Sequence, residues 1–127
     1  MRVLLVTHGN LGECLLESAA RIYGEAVGVD FISNDPHDAS GLASAIREWL
    51  GPEDLDTLIL VDVGGGSCGT AARLAADGRK RTWILGGVNL PMVLTCLGSS
   101  DAMAGEALVE KVLDRALNSV ALLEPLD

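Results

Sequence analysis

Residues 3–9, VLLVTHG, decide how the rest of the chain is interpreted. They begin as a short apolar run rich in β-branched residues, which is typical of a buried strand. The run stops at His8, and Gly9 follows as a turn residue. Two later stretches repeat this form, because residues 57–67 (TLILVDVGGGS) and 81–92 (RTWILGGVNLPM) also pass from a strand-like run into glycines. The three stretches together predict strands whose ends carry the functional residues.

Composition and charge limit the class of protein. The chain has 127 residues, of which 49% are apolar and 3% aromatic, enough for one core of Leu, Val and Ala side chains. Its formal net charge of −9 argues against nucleic acid or an anionic membrane as partner, because both require a basic surface. The sequence has no signal-peptide pattern and no apolar run of membrane-spanning length. We therefore expect a single cytoplasmic domain over residues 1–127.

The cysteines indicate neither a disulfide framework nor a metal centre. Their number is odd, no CxxC pair occurs, and neither histidine lies close to them in the sequence; they are Cys14, Cys68 and Cys96. Cysteine then most simply fills space as a small apolar residue in a reducing compartment. We expect no metal and no cofactor.

Apolar periodicity predicts strands that alternate with helices. The predicted strands are residues 2–7, 27–33, 57–63 and 81–86, with a last short strand over 119–123. The predicted helices are residues 11–23, a helix from Asp38 or Ser40 to about Leu50, and 67–76, 90–97 and 101–117. In the first helix, the residues expected to face the core are Leu11, Leu15, Ala19 and Ile22. This alternation predicts a three-layer α/β fold with a parallel sheet covered by helices on both faces.

His8 and Asp62 are the residues that such a sheet brings together. Ligands of open parallel sheets lie beyond the carboxyl ends of the strands, where the strand order reverses. In the order 2-1-3-4 the first and third strands are neighbours, about 4.8 Å apart, so residues just past their ends can touch. If Asp62 accepts a hydrogen bond from Nδ1–H of His8, Nε2 presents its lone pair outward. The pair therefore predicts a nucleophilic imidazole.

The glycines after the third strand predict an anion site beside this imidazole. They lead into a helix start, where backbone N–H groups and the helix dipole favour negative charge. Ser67, at or near that start, supplies a hydroxyl donor. Since no nucleophile elbow of a hydrolase is present, a phosphohistidine is the favoured chemistry.

Each residue also has an interpretation without function. His8 taken alone is more often a packed histidine, Asp62 can cap a turn, and Ser67 can cap a helix. Their joint placement favours a site. Residues 64–69 also match the dinucleotide fingerprint, but the acidic residue expected about 20 positions later is missing, as is the lysine of a P-loop.

At these motifs the chain resembles the IIA domain of the mannose/fructose/sorbose class of the bacterial phosphoenolpyruvate:sugar phosphotransferase system (PTS). The motifs are Thr7-His8-Gly9, Asp62 with Gly65-Gly66-Ser67, and residues 87–92 (GVNLPM). The resemblance implies that His8 accepts phosphate from the phosphocarrier HPr and passes it to a IIB component. It further implies that Asp62 orients His8 and that Ser67 bonds the phosphoryl oxygens. The implied pocket is completed by Thr7, Gly9, Gly65, Gly66 and Asn89.

The same resemblance implies a homodimer with sheet order 2-1-3-4 and an antiparallel edge strand exchanged between subunits, for which residues 119–123 are the candidate. The chain departs from the family at Gly64, where a bulkier residue is frequent, and at Cys68, where proline is frequent. Both departures bear on partner preference. Two alternatives stay open: the phosphotransfer subunit of a dihydroxyacetone kinase, and a regulatory module that is phosphorylated without onward transfer to sugar.

Overall fold

The computed structural model describes residues 1–25, 28–99 and 103–127. The strands are β1 (Arg2–Thr7), β2 (Val29–Ser33), β3 (Thr57–Val61) and β4 (Thr82–Leu85). The helices are α1 (Leu11–Tyr23), α2 (Ala39–Leu50), α3 (Ser67–Ala75), α4 (Leu90–Ser99) and α5 (Glu106–Leu117). The predicted alternation of strands and helices is confirmed. Asp38 is the N-cap of α2, since its side chain accepts a hydrogen bond from the Gly41 N–H at 2.7 Å.

The four strands form one parallel sheet in the order β2-β1-β3-β4, as predicted. In the pairing of β1 with β3, Val6 lies opposite Val61, so the two strands end at nearly the same level. The chain continues from β1 to one side of the sheet and from β3 to the other. The switch point therefore lies between these two strands, directly below His8 and Asp62.

Side-chain alternation along the central strands builds a core on each face of the sheet. In β1, Val3 and Leu5 belong to one core cluster, which also contains residues of α1, α4 and α5. Leu4 and Val6 belong to the other, which contains residues of α2 and α3. All four side chains are at most 1% exposed. The predicted three-layer architecture follows from strands that are apolar on both faces.

The predicted inner face of α1 is confirmed at Ala19, which is buried, and at Leu15, which packs against the core, but it is wrong at Leu11 and Ile22. The buried residues are Gly12, Leu16 and Ala19, whereas Leu11 is 40% exposed and Ile22 is 64% exposed. A Cβ at Gly12 would lie 3.0 Å from Oγ1 of Thr7, so α1 approaches the sheet most closely at a residue without a side chain. A periodicity based on large apolar residues does not detect this buried face, because its first residue is glycine.

The C-terminal part also differs from the prediction. Helix α5 begins at Glu106; of the predicted start, residues 101 and 102 lie outside the described residues, as does residue 27 of the second predicted strand. Residues 119–123 form no strand in this chain, and Val120 and Leu122 are 85% and 92% exposed. A strand needs a neighbour for its hydrogen bonds, and none of the described residues provides one here. Exchange with a second subunit stays a prediction.

Candidate functional site

His8 is the first residue beyond β1, and its side chain is 48% exposed. Gly9 follows with a φ of +56°, a left-handed conformation that glycine adopts without steric cost. The Gly9 N–H donates to Oδ1 of Asn34 at 2.9 Å, which ties this turn to the end of β2. The turn therefore holds the histidine at the carboxyl edge of the sheet.

Asp62 fixes the orientation of His8. Its Oδ2 accepts hydrogen bonds from the backbone N–H of His8 at 2.8 Å and from the ring Nδ1 at 2.7 Å, while Oδ1 accepts from the Val63 N–H at 2.8 Å. Partial burial acts to raise the pKa of the Asp62 carboxyl, but the hydrogen bonds from His8 and Val63 outweigh it and hold that pKa below its ordinary value. An ionised carboxylate only accepts, so the ring proton is assigned to Nδ1 and the lone pair to Nε2.

Ser67 lies on the Nε2 side of the ring. It is the first residue of α3, and its Oγ is 3.2 Å from Nε2 of His8. With the proton on Nδ1, the serine hydroxyl donates to Nε2. The N-cap of α3 is Gly66, which makes no side-chain cap hydrogen bond. The first N–H groups of α3, which have no partner within the helix, therefore remain available to an anion at Nε2.

Close backbone packing explains two of the glycines around this helix start. A Cβ at Gly69 would lie 2.2 Å from the carbonyl oxygen of Gly64, so no larger residue fits there. A Cβ at Gly86 would lie 3.1 Å from Cα of Gly64. The turn after β3 is thus held between α3 and the turn after β4. Gly69, which completes the dinucleotide fingerprint, has a packing role here.

The turn after β4 is attached to the end of β3. The Gly87 N–H donates to the carbonyl oxygen of Asp62 at 3.1 Å, and the Val88 N–H donates to that of Val61 at 3.0 Å. Asn89 then caps α4, because its Oδ1 accepts a hydrogen bond from the Met92 N–H at 3.0 Å. This stretch supports the backbone under Asp62.

Two of the predicted pocket residues direct their hydrogen bonds to helix starts. Asn89 caps α4, and the buried Thr7 accepts the Gly12 N–H on Oγ1 at 2.7 Å, which anchors α1. Gly66, in contrast, faces the histidine, since a Cβ there would lie 3.6 Å from Cε1 of His8. A Cβ at Gly65 would have nothing within 4 Å. The structure therefore brings together His8, Asp62, Gly66 and Ser67.

Sequence reasoning missed Cys68 as a neighbour of His8. Its side chain is fully buried, and Sγ lies 3.6 Å from Nδ1. Burial, together with the nearby charge of Asp62, raises the pKa of this thiol to about 11, so it is protonated at neutral pH. Cys68 directly follows the predicted site residue Ser67, but the contact of its thiol with His8 depends on how α3 packs against the end of β1, which the sequence does not indicate. His37, in contrast, is exposed near the start of α2.

Comparison with protein families decides the classification. The family model for EIIA-man, described as the PTS system fructose IIA component, matches residues 2–113. The chain belongs to this family. As an EIIA-man protein it is a component of the phosphotransferase system, and the resemblance inferred from the sequence motifs is confirmed.

Solved structures share the EIIA-man fold. A phosphotransferase system component EIIA from Streptococcus agalactiae has a TM-score of 0.86 at 22% identity, covering 94% of this chain and 95% of that one. The mannose/sorbose specific IIA subunit from Enterococcus faecalis has a TM-score of 0.83 at 22% identity, with coverages of 99% and 96%. A PTS IIA protein associated with the fucose utilization operon of Streptococcus pneumoniae has a TM-score of 0.77 at 22% identity, with coverages of 95% and 91%.

No curated protein sequence matches this EIIA-man chain. Among the described residues, no helix combines the length and the apolar character needed to cross a membrane.

Proposed function

We propose that this EIIA-man protein is a phosphoryl carrier that accepts phosphate from phospho-HPr on Nε2 of His8 and passes it to a IIB component for sugar uptake. One observation carries the proposal. The His8 ring is held by Asp62 on Nδ1 at 2.7 Å, while Nε2 faces Ser67 at 3.2 Å, at a helix start with no side-chain cap. Nucleophile, orienting carboxylate and anion site thus occur in one place.

The transfer step needs only these groups. The Nε2 lone pair forms a bond to phosphorus as the bond between phosphorus and the donor breaks, and the donor keeps that electron pair. The His8 ring then carries a positive charge, which the Asp62 carboxylate stabilises without taking the proton from Nδ1. Ser67 and the first N–H groups of α3 bind the phosphoryl oxygens. Transfer to the acceptor is the same exchange in reverse, so His8 returns to its starting state.

Charge and shape support the choice of partners. The net charge of −9 attracts a donor with a basic surface and increases the rate of encounter. Leu11 follows His8 at the start of α1, and Val63 follows Asp62 in the loop after β3; they are 40% and 57% exposed. Such apolar residues next to the nucleophile suit a protein partner that excludes water during transfer.

We further propose that residues 1–127 act as one cytoplasmic IIA domain that forms a homodimer. The C-terminal segment supports the dimer, because Val120, Leu122 and Leu123 are 85%, 92% and 83% exposed in a single chain. Pairing this segment with a second subunit would bury them. Light scattering on the chain and on a truncation after Asn118 tests this point; a monomeric full-length chain contradicts it.

Phosphorylation by phosphoenolpyruvate, enzyme I and HPr tests the main proposal. The wild-type protein should acquire an acid-labile, base-stable label, and His8→Ala should acquire none. His37→Ala is the matched control, because it removes the other histidine, which is exposed, and it should be labelled as the wild type is. A label that persists in His8→Ala, or wild-type protein that stays unlabelled by a competent HPr, contradicts the proposal.

The acceptor is identified by chasing the label. Purified phospho-protein is mixed with a IIB component or with a dihydroxyacetone kinase subunit, and the label is followed by gel electrophoresis. Transfer to IIB supports the proposed role in sugar uptake. Transfer to the kinase subunit alone, or retention of the label with either acceptor, overturns that role in favour of the kinase or the regulatory alternative.

A further inference from the structure

Three potential metal ligands meet on the Nδ1 side of His8. The ligand atoms of His8, Asp62 and Cys68 all lie within 4.8 Å of one another. The expectation of no metal rested on the spacing of the cysteines in the sequence, whereas the fold brings the Cys68 thiol to His8 and Asp62. Imidazole, carboxylate and thiolate are the three ligand types of protein zinc sites, and thiolate favours zinc over magnesium or calcium.

The geometry of the thiol and the ring suits a tetrahedral ion. Sγ of Cys68 and Nδ1 of His8 are 3.6 Å apart. An ion with Zn–N of about 2.05 Å and Zn–S of about 2.3 Å at the tetrahedral angle separates its two ligands by about 3.5–3.6 Å. The present distance therefore needs almost no adjustment on this edge.

The carboxylate must move away from the ring nitrogen. Oδ2 of Asp62 lies 2.7 Å from Nδ1, because it accepts a hydrogen bond from Nδ1–H. Oxygen and nitrogen ligands of one tetrahedral zinc ion are separated by about 3.3 Å, so the carboxylate must withdraw by about 0.6 Å. His8 is the exposed member of the cluster, at 48%, against 9% for Asp62, so an ion enters from the histidine side. Water takes the fourth position.

We propose that His8, Asp62 and Cys68 bind Zn²⁺ through Nδ1, a carboxylate oxygen and Sγ, and that this ion blocks phosphorylation of His8. The ion replaces the proton on Nδ1, which moves to Nε2, and the thiol releases its proton to solvent. The proton now on Nε2 occupies the lone pair that attacks phosphorus. Zinc binding itself stands independently, whereas its inhibitory effect rests on the proposed function.

Binding is measured with Co²⁺ as a spectroscopic probe on protein freed of metal by a chelator. A thiolate ligand produces a charge-transfer band in the near ultraviolet, which should saturate at one Co²⁺ per chain and disappear when Zn²⁺ is added. Cys68→Ser should lose the band and bind Co²⁺ at least about tenfold more weakly. Cys14→Ser is the control, because Cys14 is an exposed thiol, and it should keep the band.

A second variant covers the case in which Cys68→Ser does not fold, which circular dichroism detects. His8→Gln removes a ligand at the exposed end of β1 and should also weaken Co²⁺ binding at least about tenfold. A wild-type protein without the band, or a band that persists in folded Cys68→Ser, overturns the proposal. Unchanged Co²⁺ affinity in His8→Gln overturns it as well.

Inhibition is measured as the rate of labelling with Zn²⁺ divided by the rate with chelator, each variant serving as its own reference. This ratio should be about one tenth or less for the wild type, and it should stay near one for Cys68→Ser. Labelling of HPr in the same reactions shows that the donor proteins remain active. If the wild-type protein is not labelled even with chelator present but the cobalt band forms, the proposed phosphoryl-carrier function is wrong and the proposed metal site is supported. If labelling proceeds and no band forms, the metal site is wrong.

Discussion

Two glycine-rich turns lead from a strand to a helix at the same edge of the sheet, and they end differently. After β3, the turn leads to Gly66, which caps α3 without a side chain. After β4, the turn leads to Asn89, whose Oδ1 accepts the Met92 N–H at the start of α4. At the start of α3, the Ser67 hydroxyl lies 3.2 Å from Nε2 of His8. One helix start is open to a ligand, and the other is closed by its own chain.

The difference shows that a glycine turn before a helix does not by itself make an anion site. The residue at the N-cap decides whether the first N–H groups are already satisfied. Glycine there leaves them for a ligand, whereas asparagine uses one of them for stability. The closed turn still contributes to the site, because the Gly87 and Val88 N–H groups hold the backbone of Asp62 and Val61 in place.

The largest effect is expected when the site beside the open helix start loses the Asp62 carboxylate that orients His8. Asp62→Asn should lower the rate of labelling by HPr at least about 100-fold, because a neutral amide neither holds the Nδ1–H tautomer nor stabilises the charged ring. The rate is measured by rapid quench and gel electrophoresis. Asp38→Asn makes the same chemical change at the cap of α2, where asparagine also caps well, and should leave the rate unchanged. Equal rates for Asp62→Asn and wild type would show that Asp62 does not orient His8.

The open helix start can be converted into the closed type. Gly66→Asn places a capping oxygen on α3, and its Cβ meets only ordinary contacts, the nearest at 3.5 Å. We expect labelling to fall by about tenfold, because the cap competes with the phosphoryl group for an N–H, while the free energy of unfolding rises by a few tenths of a kcal/mol.

Gly66→Ala separates this competition from crowding. It adds the same Cβ without the oxygen, so its labelling should stay close to that of wild type. Equal losses in the asparagine and alanine variants would mean that space beside His8, and not the free N–H groups, limits the reaction. Chemical denaturation of both variants confirms that the fold is retained.

Alanine at the closed helix start should mainly lower stability, whereas alanine at the open helix start should mainly lower the rate of phosphorylation. Asn89→Ala removes the cap of α4 and should lower the free energy of unfolding by about 1 kcal/mol, or Tm by about 3–5 °C. Ser67→Ala removes an exposed hydroxyl and should change stability by less than about 0.5 kcal/mol. Its labelling rate should fall by about two- to tenfold, the value of one hydrogen bond. If Asn89→Ala instead lowered the labelling rate and Ser67→Ala instead lowered stability, the distinction between the open and the closed helix start would be wrong.

The sequence was sufficient for the elements that depend on chain-local patterns. Apolar runs located the strands, and the positions of His8 and Asp62 just beyond two of them predicted their contact, which the structure has at 2.7 Å. The family-specific motifs were sufficient for the classification. These predictions succeeded because strand ends in a parallel sheet meet at one edge whatever the details of packing.

The features that sequence reasoning missed depend on contacts between distant parts of the chain. Gly12 lies on the inner face of α1 because the helix approaches Thr7 there, and glycine carries no apolar signal. Cys68 lies next to His8 because α3 packs against the end of β1. The motif predicted Asn89 in the pocket, which stays a prediction, but it did not indicate that Asn89 Oδ1 accepts the Met92 N–H and caps α4.

The smallest expected effect is the response to acid, which should distinguish Asp62, beside the open helix start, from Asn89, the cap of the closed one. The pKa of Asp62 in the folded protein is held below its ordinary value of 3.8, so its stabilising contribution is complete above about pH 5 and is lost as the pH falls through the lowered pKa. Asn89 has no titrating group, so its contribution should not depend on pH. We therefore expect the difference in unfolding free energy between wild type and Asp62→Asn to shrink from about pH 5 to about pH 3, while the difference for Asn89→Ala stays constant. Urea denaturation across that range measures both differences. If the Asp62→Asn difference grew in acid, the sign would be reversed, and the carboxyl would be protonated more readily in the folded than in the unfolded protein.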